Sequence, residues 1–258
     1  MRLGGIAGLS RIERGGASAY GAGMGKVGAG IAAIDWAAVA ASLDERGYAT
    51  TPPLLAADQC RALGSLYAEE GAFRSRVVMA RHGFGQGEYK YLRYPLPRAV
   101  EALRHAIYPA LAPIAHRWGK ALGEERRYPA TLDAYLDACH AAGQERPTPL
   151  ILKYGAGDYN CLHQDLYGDM VFPLQMTVLL SNPDDFAGGE FVLVEQRPRR
   201  QSKAEVVALG QGEAVIFAVH HRPVQGTRGF YRVNQRHSVS RLRSGERYTL
   251  GVIFHDAR

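Results

Sequence analysis

The chain has 258 residues, 47% of them hydrophobic, enough for one catalytic domain with a sizeable core and too apolar for general disorder. Lys plus Arg exceed Asp plus Glu by 31 to 25, and the resulting formal charge of +6 favours acidic partners such as nucleic acid only modestly. No stretch approaches the roughly twenty apolar residues of a helical membrane span, so no membrane partner is expected.

The first thirty residues hold ten of the chain's thirty glycines, and the segment 1–33 is expected to be disordered, with Met24 as an alternative initiator. Gly23, Gly25 and Gly28 match a dinucleotide-binding glycine pattern, but no strand precedes them and chance explains the match. The N-terminus has no continuous apolar core of signal-peptide length. The three cysteines, Cys60, Cys139 and Cys161, form no Cys-x-x-Cys pair, and a reduced, cytoplasmic compartment fits them.

Residues 34–148 read as a helical support region with a few strands. Asp35 is placed to cap a helix carrying Trp36, Val39 and Leu43 on one face, with Gly47 as its stop. Tyr48 to Leu55 reads as a strand, Asp58 as the cap of a second helix, and Tyr89 to Tyr94 as another strand. Val100, Leu103, Ile107, Leu111, Ile114 and Trp118 recur at helical spacing, which predicts a long amphipathic helix bent at Pro109 or Pro113. Thr131 to Cys139 suggests one more helix.

Over 149–258 the period becomes strand-like: Leu150 to Tyr154, Val171 to Leu180, Glu190 to Val194, Glu205 to Leu209, Ala214 to Val219, Tyr231 to Val239 and Tyr248 to Phe254. Short strands joined by Gly, Pro, Asn and Asp turns describe a sandwich or barrel. The expected fold is mostly β with flanking helices (α+β): a double-stranded β-helix, or jelly roll, braced by the N-terminal helices.

The chemistry is carried by His163-Gln164-Asp165, by His237 seventy-four residues later and by Arg247 ten residues beyond that. Residues i and i+2 of an extended strand point to one side, so His163 and Asp165 can share an ion and His237 can complete the set. Two imidazoles and one carboxylate leave three positions of an octahedral ion open, as non-haem Fe(II) enzymes that bind O2 require. Arg247 supplies a fixed cation for a carboxylate of a co-substrate. His220, His221 and His255 have no arginine ten residues downstream and are read as structural or substrate-facing, and His82, His105, His116 and His140 carry no pattern.

On these residues a resemblance can be named. Residues 150–256 resemble the catalytic core of the Fe(II)/2-oxoglutarate dioxygenases, in particular the prolyl 4-hydroxylase-like branch. Tyr154-Gly155-Ala156-Gly157 before His163-Gln164-Asp165, Gly188-Gly189-Glu190, Gly212 to Phe217, and His237 with Gly245 to Leu250 fall in that branch's order. The resemblance implies that His163, Asp165 and His237 ligate Fe(II), that Arg247 pairs with the distal carboxylate of 2-oxoglutarate, and that Tyr154 and Thr249 add hydroxyls to the co-substrate site. It further implies O2 as co-substrate and succinate and CO2 as products. The whole chain is also similar to a bacterial family of such oxygenases assigned, by class membership, to oxidative demethylation of damaged DNA.

The substrate must be read outside this core. Arg197, Arg199, Arg200 and Lys203 follow one strand, and Arg222, Arg228, Arg232, Arg236, Arg241 and Arg243 surround His237 with Phe230 and Tyr231 interleaved. Arginines with aromatics suit phosphates and stacked bases of a single strand, so Arg228, Arg232 and Tyr231 are candidate contacts to methylated single-stranded nucleic acid. A solvated charged hairpin explains the same residues. The alternatives are a protein (prolyl-type) or small-molecule hydroxylase and a metal-binding jelly roll without turnover, and the sequence does not state the oligomeric state.

Overall fold

The computed structural model describes residues 30–166 and 168–258. The glycine pattern at 23–28, Met24 and all but the last four residues of the segment 1–33 lie outside the described residues.

Helix α1 (Trp36–Arg46) follows the sequence closely: the Asp35 carboxylate accepts from the backbone N–H groups of Ala37 and Ala38, and Gly47 at φ 78° ends it. Strand β1 (Tyr48–Thr50) stops well short of Leu55, because Pro52 and Pro53 have no N–H to give a ladder. Helix α2 (Ala57–Ser65) starts ahead of the expected cap. Ala56 is the N-cap, Gln59 Oε1 accepts its N–H at 2.9 Å, and Asp58 sits inside the first turn, where a negative charge suits the helix dipole. Strand β2 (Phe73–Val78) had no clear periodic signal, and β3 (Gly85–Gln86) and β4 (Glu88–Leu92) follow. Helix α3 (Arg98–Ala121) runs through both Pro109 and Pro113 and buries all six residues of the expected apolar face. Helix α4 (Leu132–Ala141) is capped by Thr131.

The remaining strands are β5 (Leu150–Gly155), β6 (Tyr159–His163), β7 (Leu174–Leu179), β8 (Phe186–Gly188), β9 (Phe191–Gln196), β10 (Lys203–Val207), β11 (Ala214–Ala218), β12 (His221–Gly226), β13 (Gly229–Val239) and β14 (Leu242–Val252). They form two antiparallel sheets. One has the order β1-β11-β7-β14-β5-β4-β2 with β8 on β14; the other has the order β10-β9-β13-β6-β3 with β12 on β13. Along the chain β5, β7, β11 and β14 enter the first sheet and β6, β9, β10 and β13 the second, the winding of a double-stranded β-helix. The support region is more than a brace, since β1, β2 and β4 extend the first sheet. The inner faces meet in a cluster drawn from both sheets, Tyr48, Val215 and Phe217 against Phe191, Leu193 and Val207.

The helices pack outside the first sheet through a larger core of Leu103, Ile107, Leu111, Phe172, Met176 and Phe254. A buried polar lock fixes this layer to the end of β14. Asp256, fully buried, receives Arg104 of α3 at 3.1 Å, the Tyr94 hydroxyl at 2.8 Å and His140 of α4 at 2.9 Å, while Arg104 Nε donates to Ile253 O at 2.9 Å. Removing one partner of such a pair strands the other charge away from water. Asp256→Ala is therefore expected to lower unfolding stability by about 3–5 kcal/mol in urea titrations, and a loss below about 1 kcal/mol would show that the lock is marginal. Among the described residues no helix is long and apolar enough to cross a membrane.

Candidate active site

The sheet register does most of the assembly. His237, near the C-terminal end of β13, is the direct cross-strand neighbour of His163, the last residue of β6, and their rings lie 4.1 Å apart. Asp165 joins them from just beyond β6, so the i, i+2 spacing holds although the segment is not strand at that point. His163 Nε2 is 3.5 Å from Asp165 Oδ1, His237 Nε2 is 3.3 Å from Asp165 Oδ2, and one ligand atom from each residue falls within 4.8 Å of the others.

The surroundings prepare these groups to bind a cation. The carbonyl of Cys161 lies 2.7 Å from His163 Nδ1, which places the proton there and leaves Nε2 as a ligand. Burial, then the neighbouring His237, pulls the His163 pKa down and keeps the ring neutral. Burial alone would raise the carboxyl of Asp165; hydrogen bonding and charge from His237, with His163 and Gln175 behind them, hold it below the ordinary carboxylate range. Gln175 Nε2 donates to Asp165 Oδ2 at 2.8 Å and fixes the rotamer. The donor set and its hydrogen-bonded supports fit a divalent first-row metal with open positions.

The triad opens into a cavity of about 320 Å³ that Tyr154, Thr177, Arg247 and Thr249 also line. On β14 and β5, Arg247 faces Tyr154 and Thr249 faces Leu152, so both expected co-substrate residues of β14 share the inner face with Tyr154. Arg247 is 3% exposed, and its Nη1 has no hydrogen-bond partner. Burial brings its pKa down to about 10, which leaves the guanidinium charged at neutral pH. The Tyr154 hydroxyl is likewise buried, beside Asn160, and burial pushes its pKa upward. Gly189 makes room for the arginine: φ is +66°, and a Cβ there would lie 2.7 Å from Leu242 Cδ1 and 2.9 Å from Arg247 Cδ. A buried fork-shaped cation with a free Nη1 next to a phenol matches the carboxylate end of a 2-oxo acid.

The basic residues fare differently. Arg222 is 1% exposed and committed to Glu195 at 2.6 Å and to Asp44 O at 2.7 Å, so it belongs to the core rather than to the surface around His237. Arg228 is exposed in the β12–β13 turn, Arg232 is exposed and paired with Glu124 at 3.1 Å, and Tyr231 is half-buried; none of the three lines the cavity. His221 also meets Glu124, at 3.3 Å, and with His220 lines a second cavity of about 340 Å³ that shares Leu166 with the first. Sequence reasoning missed Gln175 and the rim made by Phe84, Leu162 and Leu166, all three exposed. The signals for them were a glutamine within the apolar run of β7 and a phenylalanine set between two glycines.

A family model described as "Oxygenase, catalysing oxidative methylation of damaged DNA" matches residues 87–257. An uncharacterized protein of Mycobacterium tuberculosis, strain H37Rv, is 54% identical over 164 residues, which make up 63% of this chain and 70% of the relative. Among solved structures, a prolyl hydroxylase from Trichoplax adhaerens in complex with a hypoxia inducible factor oxygen degradation domain peptide fragment aligns with a TM-score of 0.52 at 15% identity, covering 84% of this chain and 86% of its own. The non-heme alpha ketoglutarate dependent epimerase SnoN from nogalamycin biosynthesis aligns with a TM-score of 0.51 at 16% identity, covering 84% and 80%. These two structural likenesses establish the jelly-roll fold.

Proposed function

Because the chain belongs to this oxygenase family and is thus an oxidoreductase, we propose that it is an Fe(II)- and 2-oxoglutarate-dependent dioxygenase that removes N-methyl groups from bases of single-stranded nucleic acid. The observation that carries the cofactor assignment is the placement of a His, Asp, His cluster and a buried arginine with an unpartnered Nη1 along one cavity. When bound, Fe(II) with 2-oxoglutarate and O2 supplies hydroxylation of a C–H bond coupled to release of succinate and CO2, and a hydroxylated N-methyl group leaves as formaldehyde.

The chain's own part is to bind and orient. His163, Asp165 and His237 would hold the metal, Gln175 keeps the Asp165 carboxylate turned toward it, and Arg247 would take the distal carboxylate of the co-substrate, with Tyr154 and Thr249 beside it. The cavity walls of Leu150, Leu152, Phe191 and Ile253 exclude water around the reacting groups. Support for a nucleic acid substrate comes from the family description and the excess of 31 basic over 25 acidic residues. Three free thiols, two of them buried, accord with a reducing compartment.

A second reading, hydroxylation of a peptide, is favoured by the apolar rim of Phe84, Leu162 and Leu166 at the cavity mouth, which suits a hydrophobic side chain as well as a base. Succinate formation under air with added Fe(II), with His163→Ala as the blank, separates the two. Methylated single-stranded DNA is expected to stimulate turnover several-fold over unmethylated DNA, and the stimulation is expected to fall steeply with added salt. Turnover that ignores DNA and responds to peptides would transfer the assignment to the second reading.

A further inference from the structure

Of the three clustered ligands, Asp165 is the one the sheet holds least. His237 is flanked by β9 and β6, and His163 is the last paired residue of β6, but Asp165 lies two residues beyond that strand with no ladder around it. The β13 edge that β6 leaves here passes to β12, whose pairing begins at His221 opposite Asn234. Between them is a gap of two residues of β13, Gln235 and Arg236, in which the Gln235 N–H donates to His220 O at 2.8 Å.

Gln164, between the two ligands, fills that gap. Its Nε2 donates to His220 O at 2.8 Å and to Gln235 O at 2.8 Å, so the two amide protons are spent on two chain segments that meet at the site. A glutamine suits this place for a chemical reason. Both acceptors are carbonyls, so the clamp needs two N–H donors on one atom, and a carboxylate of the same shape would set oxygen against oxygen.

We propose that Gln164 is a positioning residue: its carboxamide stands in for the missing ladder rung, ties the segment carrying Asp165 to β13, and so sets the affinity of the cluster for a divalent metal. The inference rests on the metal assignment made under the proposed function. It differs from the role of Gln175, which touches the carboxylate itself. Gln164 acts one bond further out, on the backbone that delivers the carboxylate.

The test is anaerobic titration of the full chain with Co(II), followed by its visible absorption, alongside thermal melting of the metal-free protein. Gln164→Met keeps length and removes both donors, and it is expected to weaken Co(II) binding about ten- to a hundredfold, the usual cost of losing an outer support of a ligand. The metal-free melting temperature is expected to move by only a few degrees, so a general loss of structure would not imitate the result. Gln164→Asn keeps the amide one carbon short and is expected to fall between Met and native; it carries the test alone if the Met variant does not fold. Affinities within threefold of native in the folded variants would overturn the proposal. Absence of Co(II) binding by the native chain would overturn the metal assignment and this inference with it, a failure seen in the native titration and therefore distinct from a failure seen in the variants alone.

Discussion

Replacing Arg247 with alanine is expected to raise the 2-oxoglutarate concentration for half-maximal succinate formation about a hundredfold. Among the described residues that line the cavity there is no second permanent cation, and the guanidinium is 3% exposed, so its interaction with a carboxylate is barely screened by water. Truncating one side of such a desolvated, hydrogen-bonded pair costs about 3 kcal/mol, and each 1.4 kcal/mol is about a factor of ten. Arg247→Lys retains a charge but not the planar fork, so it is expected to recover only part of the loss. Co(II) titration of the same variants should stay close to native, because Arg247 lies outside the metal cluster. An alanine variant with a half-saturation value within threefold of native would remove Arg247 from the co-substrate site.

Asp165→Asn is expected to be the other severe change. The substitution preserves shape and leaves two imidazoles facing a weak amide oxygen, so the cluster loses its one carboxylate. If a four-ligand protein site contributes about 10–16 kcal/mol of metal binding, one ligand accounts for about 3 kcal/mol, and affinity for Co(II) should fall at least about a hundredfold. Succinate production at micromolar Fe(II) should then drop to the level of the blank. Folding should survive, because the introduced amide oxygen can still accept the 2.8 Å hydrogen bond that Gln175 Nε2 now gives to Asp165 Oδ2. Native-like metal affinity in this variant would remove Asp165 from the ligand set.

These expectations were open to a reader of the sequence to an unequal degree. The alternation of β14 placed Arg247 and Thr249 on one face, and the pairing of that strand with β5 places Tyr154 on the same face. The face of α3 was equally plain, since six apolar residues at helical spacing leave few other solutions. What could not be read depended on partners distant in sequence. Gln175 becomes meaningful only when β7 lies across from Asp165, and Arg222 looked like surface until Glu195 was found beside it in the core. The lock on Asp256 joins residues more than a hundred positions apart, and no local pattern announces it. Strand ends were misjudged where proline, as after β1, or the end of a pairing partner decided them.

His237 and Arg247 sit on consecutive strands, β13 and β14, joined through Ser240 and Arg241, one strand in each sheet. Side chains alternate along each strand, so one inserted or deleted residue between them would turn the arginine away from the interior while leaving every other residue type unchanged. The connection is fixed by its side chains too, since Ser240 Oγ accepts the Glu190 N–H at 3.0 Å and Arg241 lies 4.6 Å over the Tyr159 ring. The loop between β9 and β10, which carries its own arginines, bears no such constraint and is where additions to the chain would be absorbed.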